Sequence, residues 1–181
     1  MPCASFAGAR PSYVFRHRRN DEEQLVKDQE HPLLQVLEDY KAAVFAKDVD
    51  AFAALYDDAV RVFDMWANWS YRGIAAWRAV VAAWFESHGS ERVVVEFGDA
   101  QVRAASDIAV IHVFVVYRGV SAEGAELRSM TNRMTLALWR TAGRWKIVHE
   151  HTSAPVDHGT AKVILSSQPL LPHDARGIHC R

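Results

Sequence analysis

The spacing of apolar residues predicts three helices in the first half of the chain. The first helix is predicted from apolar residues that recur every three or four positions on one face, namely Leu33, Val36, Leu37, Tyr40, Ala43 and Val44. Asp48 is a good N-cap residue for a second, short helix that carries Phe52. A third run with the same period covers residues 74–85 and is predicted to end at His88 and Gly89.

The period changes to two in the second half of the chain, which predicts strands. Apolar residues alternate over residues 93–97, 108–117, 127–139 and 145–153, with turn residues between these runs. A short strand pair is predicted between the second and third helices. Helices grouped before an antiparallel meander predict an α+β domain, in which three N-terminal helices pack in the concave face of a curved, mostly antiparallel sheet.

Composition limits both the number of domains and the kinds of partner. One compact domain over residues 31–165 is predicted, because residues 1–30 and 166–181 are irregular, with several Pro and Gly residues, and are expected to be disordered or loosely packed. The net charge is −1, with no long run of one sign, which argues against nucleic acid as a partner. No apolar run approaches the ~20 residues of a membrane helix, and the N-terminus lacks the order of a secretory signal. We therefore expect a cytoplasmic protein without a membrane partner.

Two segments resemble a known superfamily. Residues 56–64 read YDDAVRVFD and are followed by Arg72, Gly73 and an apolar helix. This pattern resembles the nuclear transport factor two-like superfamily, in particular SnoaL-like proteins and bacterial ketosteroid isomerases. The closing segment, residues 143–153, is similar to the end of SnoaL-like domains and to the association domain of the calcium/calmodulin-dependent kinase. The resemblance covers roughly residues 31–160 and implies a cone-shaped, cystatin-like fold, with a homodimer built on the outer face of the sheet.

The resemblance also implies candidate catalytic residues. Ketosteroid isomerases carry a catalytic tyrosine on the first helix and an aspartate base after the first strand, and these positions fall on Tyr40 and Asp64. The second acid of those enzymes falls near Thr135 and is missing here. From the residues alone, Asp64 is either a base strengthened by aromatic surroundings or a cap of the following turn. Tyr40 is either a donor to a substrate oxygen or a core aromatic residue.

The same alignment implies a substrate-binding pocket with few polar groups. Its apolar wall is expected from one strand face and from indoles at the mouth, namely Ile111, Val113, Val115 and Tyr117 with Trp66 and Trp69. Alternation along the strands puts Arg133 and Thr135 on one face, and the alignment turns this face and Glu150 toward the pocket. Arg133 and Glu150 then either form a buried ion pair or bind a polar group of the substrate. The expected ligand is a small apolar or aromatic molecule.

Two histidines near the end of the chain raise the question of a metal. His149 and His151 are two residues apart on a predicted strand, and only His112 is an obvious third ligand. We expect no metal, and we expect these histidines to line the dimer interface. The chain contains no glycine-rich phosphate loop, no Gly-x-Ser-x-Gly turn and no His-Glu-x-x-His motif, so that no cofactor is expected.

Two functions remain open from the sequence. The first is a cofactor-independent isomerase or cyclase, in which Asp64 moves a proton next to a carbonyl group and Tyr40 donates to the developing oxyanion. The second is a non-catalytic module for ligand binding or oligomerisation, which the missing acid and the similarity to an association domain favour. The two are distinguished by whether Tyr40 and Asp64 face one cavity.

Overall fold

The computed structural model describes residues 32–166 of the 181-residue chain. Residues 32–46 are helical (α1), and the other helices are Val49–Ala53 (α2) and Ile74–Ser87 (α3). The strands of the described part are Tyr56–Phe63 (β1), Tyr71–Arg72 (β2), Arg92–Ala104 (β3), Ile108–Val120 (β4), Glu126–Thr141 (β5) and Arg144–Ser153 (β6). The predicted extension over residues 1–30 and nearly all of the predicted tail over residues 166–181 lie outside the described residues.

The strands of the described residues form one six-stranded sheet in the order β2-β1-β6-β5-β4-β3. Neighbouring strands are antiparallel except for β1 and β6, which are parallel. The last four strands, β3 to β6, therefore form the predicted meander. The final strand, β6, lies beside β1, so that the end of the meander meets the first strand of the chain. The α+β class and the curved, mostly antiparallel sheet that the sequence predicts are both confirmed.

Local chemistry explains where several elements begin and turn. The Asp48 side chain accepts hydrogen bonds from the backbone N–H groups of Asp50 and Ala51, so that it caps α2 as predicted. Ala142 and Gly143 both have positive φ, 49° and 79°, which is the geometry of a tight hairpin turn between long strands. α3 ends at Ser87, and His88 is its C-cap residue directly before Gly89, where the sequence predicts the end of the helix.

The hydrophobic core lies between the helices and one face of the sheet. The inward residues of β4 and β5 alternate with exposed ones, and Ile111, Val115, Leu136 and Leu138 have no measurable exposure. They form one cluster with the predicted apolar face of α1. Irregular pairing bends the long strands, for example between Gly98 and Gln101 in β3, where Asp99 has a φ of 51°.

A register shift in β6 changes which of its side chains face the core. Strict alternation would point Val148 inward with Glu150 and Thr152, and Ile147 outward. Ile147 is instead fully buried and Val148 is partly exposed, while Glu150 and Thr152 point inward as expected. The reason is that β5 pairs Ala137 with His149 but Leu138 with Ile147, so that Val148 is an extra residue in the ladder.

No helix within residues 32–166 is long and apolar enough to cross a membrane.

The extra residue in β6 is a β-bulge, and it predicts that Ile147 and Val148 contribute differently to the free energy of unfolding. Ile147→Ala should lower the free energy of unfolding by about 2–5 kcal/mol, because it leaves a cavity in the core. Val148→Ala should cost about 1 kcal/mol or less, because this side chain is partly exposed. Urea unfolding of the two variants and the wild type measures both values. Equal losses, or a larger loss at Val148, would show that β6 alternates without the bulge.

Candidate functional site

A cavity of about 370 Å³ opens from the concave side of the sheet. This volume lies in the lower part of the usual range for small-molecule sites, roughly 300–1,000 Å³. Its polar side chains come from five different parts of the fold, and they are Tyr40, Asp64, Tyr117, Asn132, Glu150 and Thr152. The remaining wall is apolar and rich in aromatic rings, with Phe52, Trp66, Trp77 and Trp84 beside aliphatic residues of α3 and Met130.

Asp64 lies one residue beyond the end of β1 and is held by two hydrogen bonds. Its Oδ1 accepts from the Thr152 hydroxyl at 2.7 Å and from the Met65 backbone N–H at 2.9 Å. The Thr152 hydroxyl oxygen in turn accepts from the same Met65 N–H at 3.0 Å. Asp64 therefore caps the turn after β1 and lines the cavity at the same time, so that the two interpretations of this residue do not exclude each other.

Tyr40 and Tyr117 form a pair of phenols in the wall of the cavity. Their hydroxyl oxygens lie 2.9 Å apart, and the pair joins α1 to β4. Burial is the main cause that raises the pKa of both phenols above the ordinary value, with Glu150 adding to the effect. Both groups are therefore neutral. A pair of hydroxyls shares only one of its two protons, so that the second proton is available to a ligand oxygen.

Glu150 is a buried carboxyl group on β6, with 1% of its surface exposed. Its Oε2 accepts a hydrogen bond of 2.6 Å from the Tyr56 hydroxyl. Burial raises the pKa of Glu150 to about 7, the Tyr56 hydrogen bond opposes this rise, and the nearby Asp64 charge adds to it. Glu150 therefore changes charge near neutral pH, in a position where that charge acts on the whole cavity.

Asn132 supplies an unpaired acceptor. Its side chain is 4% exposed, its Nδ2 donates to the Met65 sulfur at 3.2 Å, and its Oδ1 has no hydrogen-bond partner among the described residues. A buried amide oxygen without a partner is unfavourable, and such groups are often completed by water or a ligand.

Five of the sequence-predicted site residues line this cavity. These are Tyr40, Asp64, Trp66, Tyr117 and Glu150. Ile111, Val113 and Val115 face the concave side as expected, but they are buried in the core and do not line the cavity. The reason is their position along β4: the cavity lies at the end of the strand that carries Tyr117, and the sheet is covered at the other end.

Three other predictions about side-chain direction are wrong. Arg133 and Thr135 are exposed on the opposite face of β5, and Thr135 pairs with the exposed His151. The predicted buried ion pair between Arg133 and Glu150 does not form, because Arg133 lies on the exposed face of the sheet and Glu150 is buried on the other face. Trp69 is 99% exposed and lines a separate outer groove, not the mouth of the cavity.

The sequence contained a signal for the correct face of β5. Met134, Leu136 and Leu138 alternate with Arg133, Thr135 and Ala137, and this alternation alone points the even-numbered residues inward. It would have placed Asn132 on the cavity side. The prediction followed the resemblance to ketosteroid isomerases in place of this alternation. Trp77 and Trp84 belong to the periodic apolar run over residues 74–85, but nothing in their spacing separates a cavity wall from a core.

The histidines of β6 have partners that differ from those of a metal site. His149 Nδ1 lies 2.7 Å from the Arg61 carbonyl oxygen, which requires the ring proton on Nδ1. The Phe63 ring packs edge-on against both His149 and His151. Residues 32–166 contain no group of three or more His, Cys, Asp or Glu side chains arranged to hold a metal ion.

Comparison with solved structures places this architecture among known ones. An NTF2-like protein of unknown function from Pseudomonas putida KT2440 is 27% identical with a TM-score of 0.70, over 79% of this chain and 98% of that chain. ActVI-ORFA from Streptomyces coelicolor is 15% identical with a TM-score of 0.63, over 70% and 96%. The association domain of C. elegans CaMKII is 20% identical with a TM-score of 0.58, over 70% and 96%. The last two likenesses show the fold alone.

A comparison with family models gives the same placement from the sequence. None of the curated proteins matches this chain significantly. The model of the SnoaL-like domain, however, matches residues 33–157, which is more than half of the chain and contains every residue that lines the cavity. The protein therefore belongs to the SnoaL-like domain family, within the NTF2-like superfamily.

Proposed function

We propose that the cavity binds a small, largely apolar carbonyl compound and that the protein is a cofactor-independent isomerase or cyclase. In this proposal Asp64 removes a proton from the carbon next to the carbonyl group, and the Tyr40–Tyr117 pair donates to the oxyanion that develops. The observation that carries the proposal is that these three side chains line one cavity, as the spacing of Tyr40 and Asp64 implied.

The hydrogen bonds around Asp64 suit a base that must keep its position. Thr152 and the Met65 N–H both bind Oδ1, and no hydrogen bond to Oδ2 is formed among the described residues. One carboxylate oxygen therefore holds the group in place, and the other is available for proton transfer. A positioned base of this kind contributes roughly 10²–10⁴-fold to a rate.

The Tyr40–Tyr117 pair supports the proposal through its remaining proton. One phenol donates to the other, and the second phenol donates to the substrate oxygen as negative charge builds up there. The acid that the resemblance placed near Thr135 is absent from the cavity. Glu150 brings a carboxyl group to the cavity from another strand. When this group is protonated it carries no charge, so that it does not repel an oxyanion.

A second proposal concerns assembly: the outer face of the sheet forms a homodimer. Large apolar residues are exposed on this face, among them Ile108 and Trp139 at 50% and 53%, and Val110 at 38%. Ile108 pairs directly with Trp139 in the ladder, so that they form one continuous patch. The fold of this chain is also that of an association domain, the C. elegans CaMKII domain. A homodimer formed through this face leaves the cavity available for catalysis. If the protein is not catalytic, the same dimer makes it an assembly module.

The catalytic proposal is tested by proton exchange, which needs only the first half of the reaction. 2-Tetralone, a small bicyclic ketone, is incubated in D₂O with the protein, and loss of the α-proton signal is followed by NMR. Asp64→Asn should lower the protein-dependent exchange rate by about 10²–10⁴-fold, because the amide cannot accept the proton. Asp58→Asn removes the same charge from an exposed residue and should exchange as the wild type does.

The outcome separates the two functions. If the wild type binds the ketone without accelerating exchange, or if Asp64→Asn retains the full rate, Asp64 is not the base and the non-catalytic module is favoured. Binding is measured in the same samples by ligand-detected NMR.

The charge state of Glu150 predicts a pH dependence of stability. Its folded pKa of about 7 is above the ordinary value of 4.5, so that the native protein holds a proton that the unfolded chain releases. The stability that the native state gains by holding this proton is fully present below pH 4.5 and is lost as the pH rises to about 7. Relative to Glu150→Gln, which cannot titrate, the wild type should therefore lose about 3 kcal/mol of stability over this range. Urea unfolding between pH 4.5 and 8, with Glu86→Gln as the exposed control, measures the difference.

A parallel pH dependence in the wild type and Glu150→Gln would show that Glu150 titrates near its ordinary value and is not buried as described.

The dimer proposal predicts a concentration-dependent mass. Sedimentation velocity should give a dimer for the wild type, whereas Val110→Glu should be a monomer at the same concentration, because it places a charge in the middle of the apolar patch. Leu34→Glu makes the same change at an exposed position of α1, away from the sheet, and should remain a dimer. A monomeric wild type at micromolar concentration would contradict the proposal.

A further inference from the structure

Among the described residues, the charged side chains that line the cavity are of one sign. Two carboxyl groups line it, Asp64 and Glu150, and among residues 32–166 no Lys, Arg or His does. Arg78, the cation on the exposed side of α3, is paired with Asp50. The field inside the cavity is therefore negative, and it disfavours an anionic ligand by like-charge repulsion.

The hydrogen-bonding groups are also unequal, because acceptors outnumber donors. The acceptors are the two carboxyl groups and the unpaired Oδ1 of Asn132, which is fixed as an acceptor because Nδ2 is directed to the Met65 sulfur. The donors are the one remaining proton of the Tyr40–Tyr117 pair and the Nε1–H of Trp77, which has no hydrogen-bond partner among the described residues. A ligand that satisfies this wall must itself supply hydrogen-bond donors.

The aromatic walls fit a cation that carries such donors. Three indoles, Trp66, Trp77 and Trp84, line the cavity together with Phe52. Indole faces attract ammonium groups more strongly than other aromatic rings do, and the attraction increases where water is excluded. Aromatic rings and carboxylates both offset the desolvation cost of an ammonium group.

From these three features we infer that the ligand of the cavity is a protonated amine on an apolar or aromatic body, with its ammonium group paired to Glu150. This inference rests on the proposed use of the cavity and names the substrate class: an amino-carbonyl compound whose oxygen meets the Tyr40–Tyr117 pair. The ammonium group offsets the Glu150 charge beside the oxyanion, and Asn132 Oδ1 accepts from a second N–H or O–H of the ligand.

The pairing has a consequence for protons. The ionisable groups that interact with Glu150 are Tyr56 and Asp64 from the β1 region, Tyr40 from α1 and Tyr117 from β4. The three phenols are neutral, so that an ammonium ligand would supply the positive charge that Glu150 lacks. Binding should therefore ionise Glu150, and below pH 7 it should release up to one proton.

Three probes of similar size and different charge test the inference. 2-Phenylethylamine, 2-phenylethanol and 3-phenylpropanoate are titrated into the protein by calorimetry at pH 8. The amine should bind at least about tenfold more tightly than the alcohol, and the carboxylate should bind least. Glu150→Gln should remove the preference for the amine over the alcohol, whereas Glu86→Gln, an exposed change of the same charge, should retain that preference.

Proton release gives a second measurement that needs no variant. Titrations of the amine at pH 6.5 in phosphate and in ACES, neither of which is a cation, should give different apparent enthalpies, because the released proton is taken up by buffers of different ionisation enthalpy. Equal enthalpies in the two buffers would contradict the pairing with Glu150.

The outcomes distinguish this inference from the proposed function. If the alcohol and 2-tetralone bind but the amine has no advantage, the amine class is wrong and the carbonyl chemistry stands. If the amine binds with Glu150-dependent preference but Asp64→Asn exchanges ketone protons as the wild type does, the ligand class stands and the catalytic role of Asp64 is wrong. If none of the probes binds, the cavity is not a ligand site, and both proposals fail.

Discussion

The need to cover the apolar inner face of the sheet determines most of this structure. At one end of β4 and β5, residues such as Ile111 and Leu136 are completely buried in a single core with the apolar face of α1. At the other end, the cover consists of α3 and the loop after β1, whose large rings meet Tyr117 and Met130 without filling the space. The cavity is the part of the inner face that the helices cover incompletely, so that the same burial that stabilises the fold also defines the site.

The two carboxyl groups of the cavity are each held by a hydrogen bond that also joins parts of the fold. Glu150 is buried and accepts a hydrogen bond from the Tyr56 hydroxyl. This hydrogen bond joins β6 to its parallel neighbour β1. Asp64 is held by Thr152 of the same strand. A buried carboxyl group whose pKa is raised to about 7 stabilises a fold poorly, because above that pH its charge must be kept in an apolar wall. Groups that are kept at such a cost are frequently functional.

The elements of the fold were predictable because they depend on local patterns. The face of α1, the Asp48 cap, the end of α3 and the meander each follow from periodicity or capping over a few residues. The site was predictable only in part. Tyr40, Asp64 and Glu150 line the cavity as predicted, but Arg133 and Thr135 were assigned to the wrong face. The resemblance was followed there in place of the alternation along β5, and an error of one residue in a strand reverses the direction of every side chain.

The sequence by itself determined the class of the fold, the order of its elements and the two residues whose spacing suggested a site. The tertiary structure decided what depends on register and on distance along the strands. It turned Ile147 inward through a bulge that alternation does not show, and it separated Val113 in the core from Tyr117 in the cavity wall, although both lie on one face of β4. It also brought Glu150 to Tyr56 across 94 positions of the chain. Local patterns encode direction relative to a strand or helix, whereas a cavity exists only where packed elements fail to meet, and that depends on all of them together.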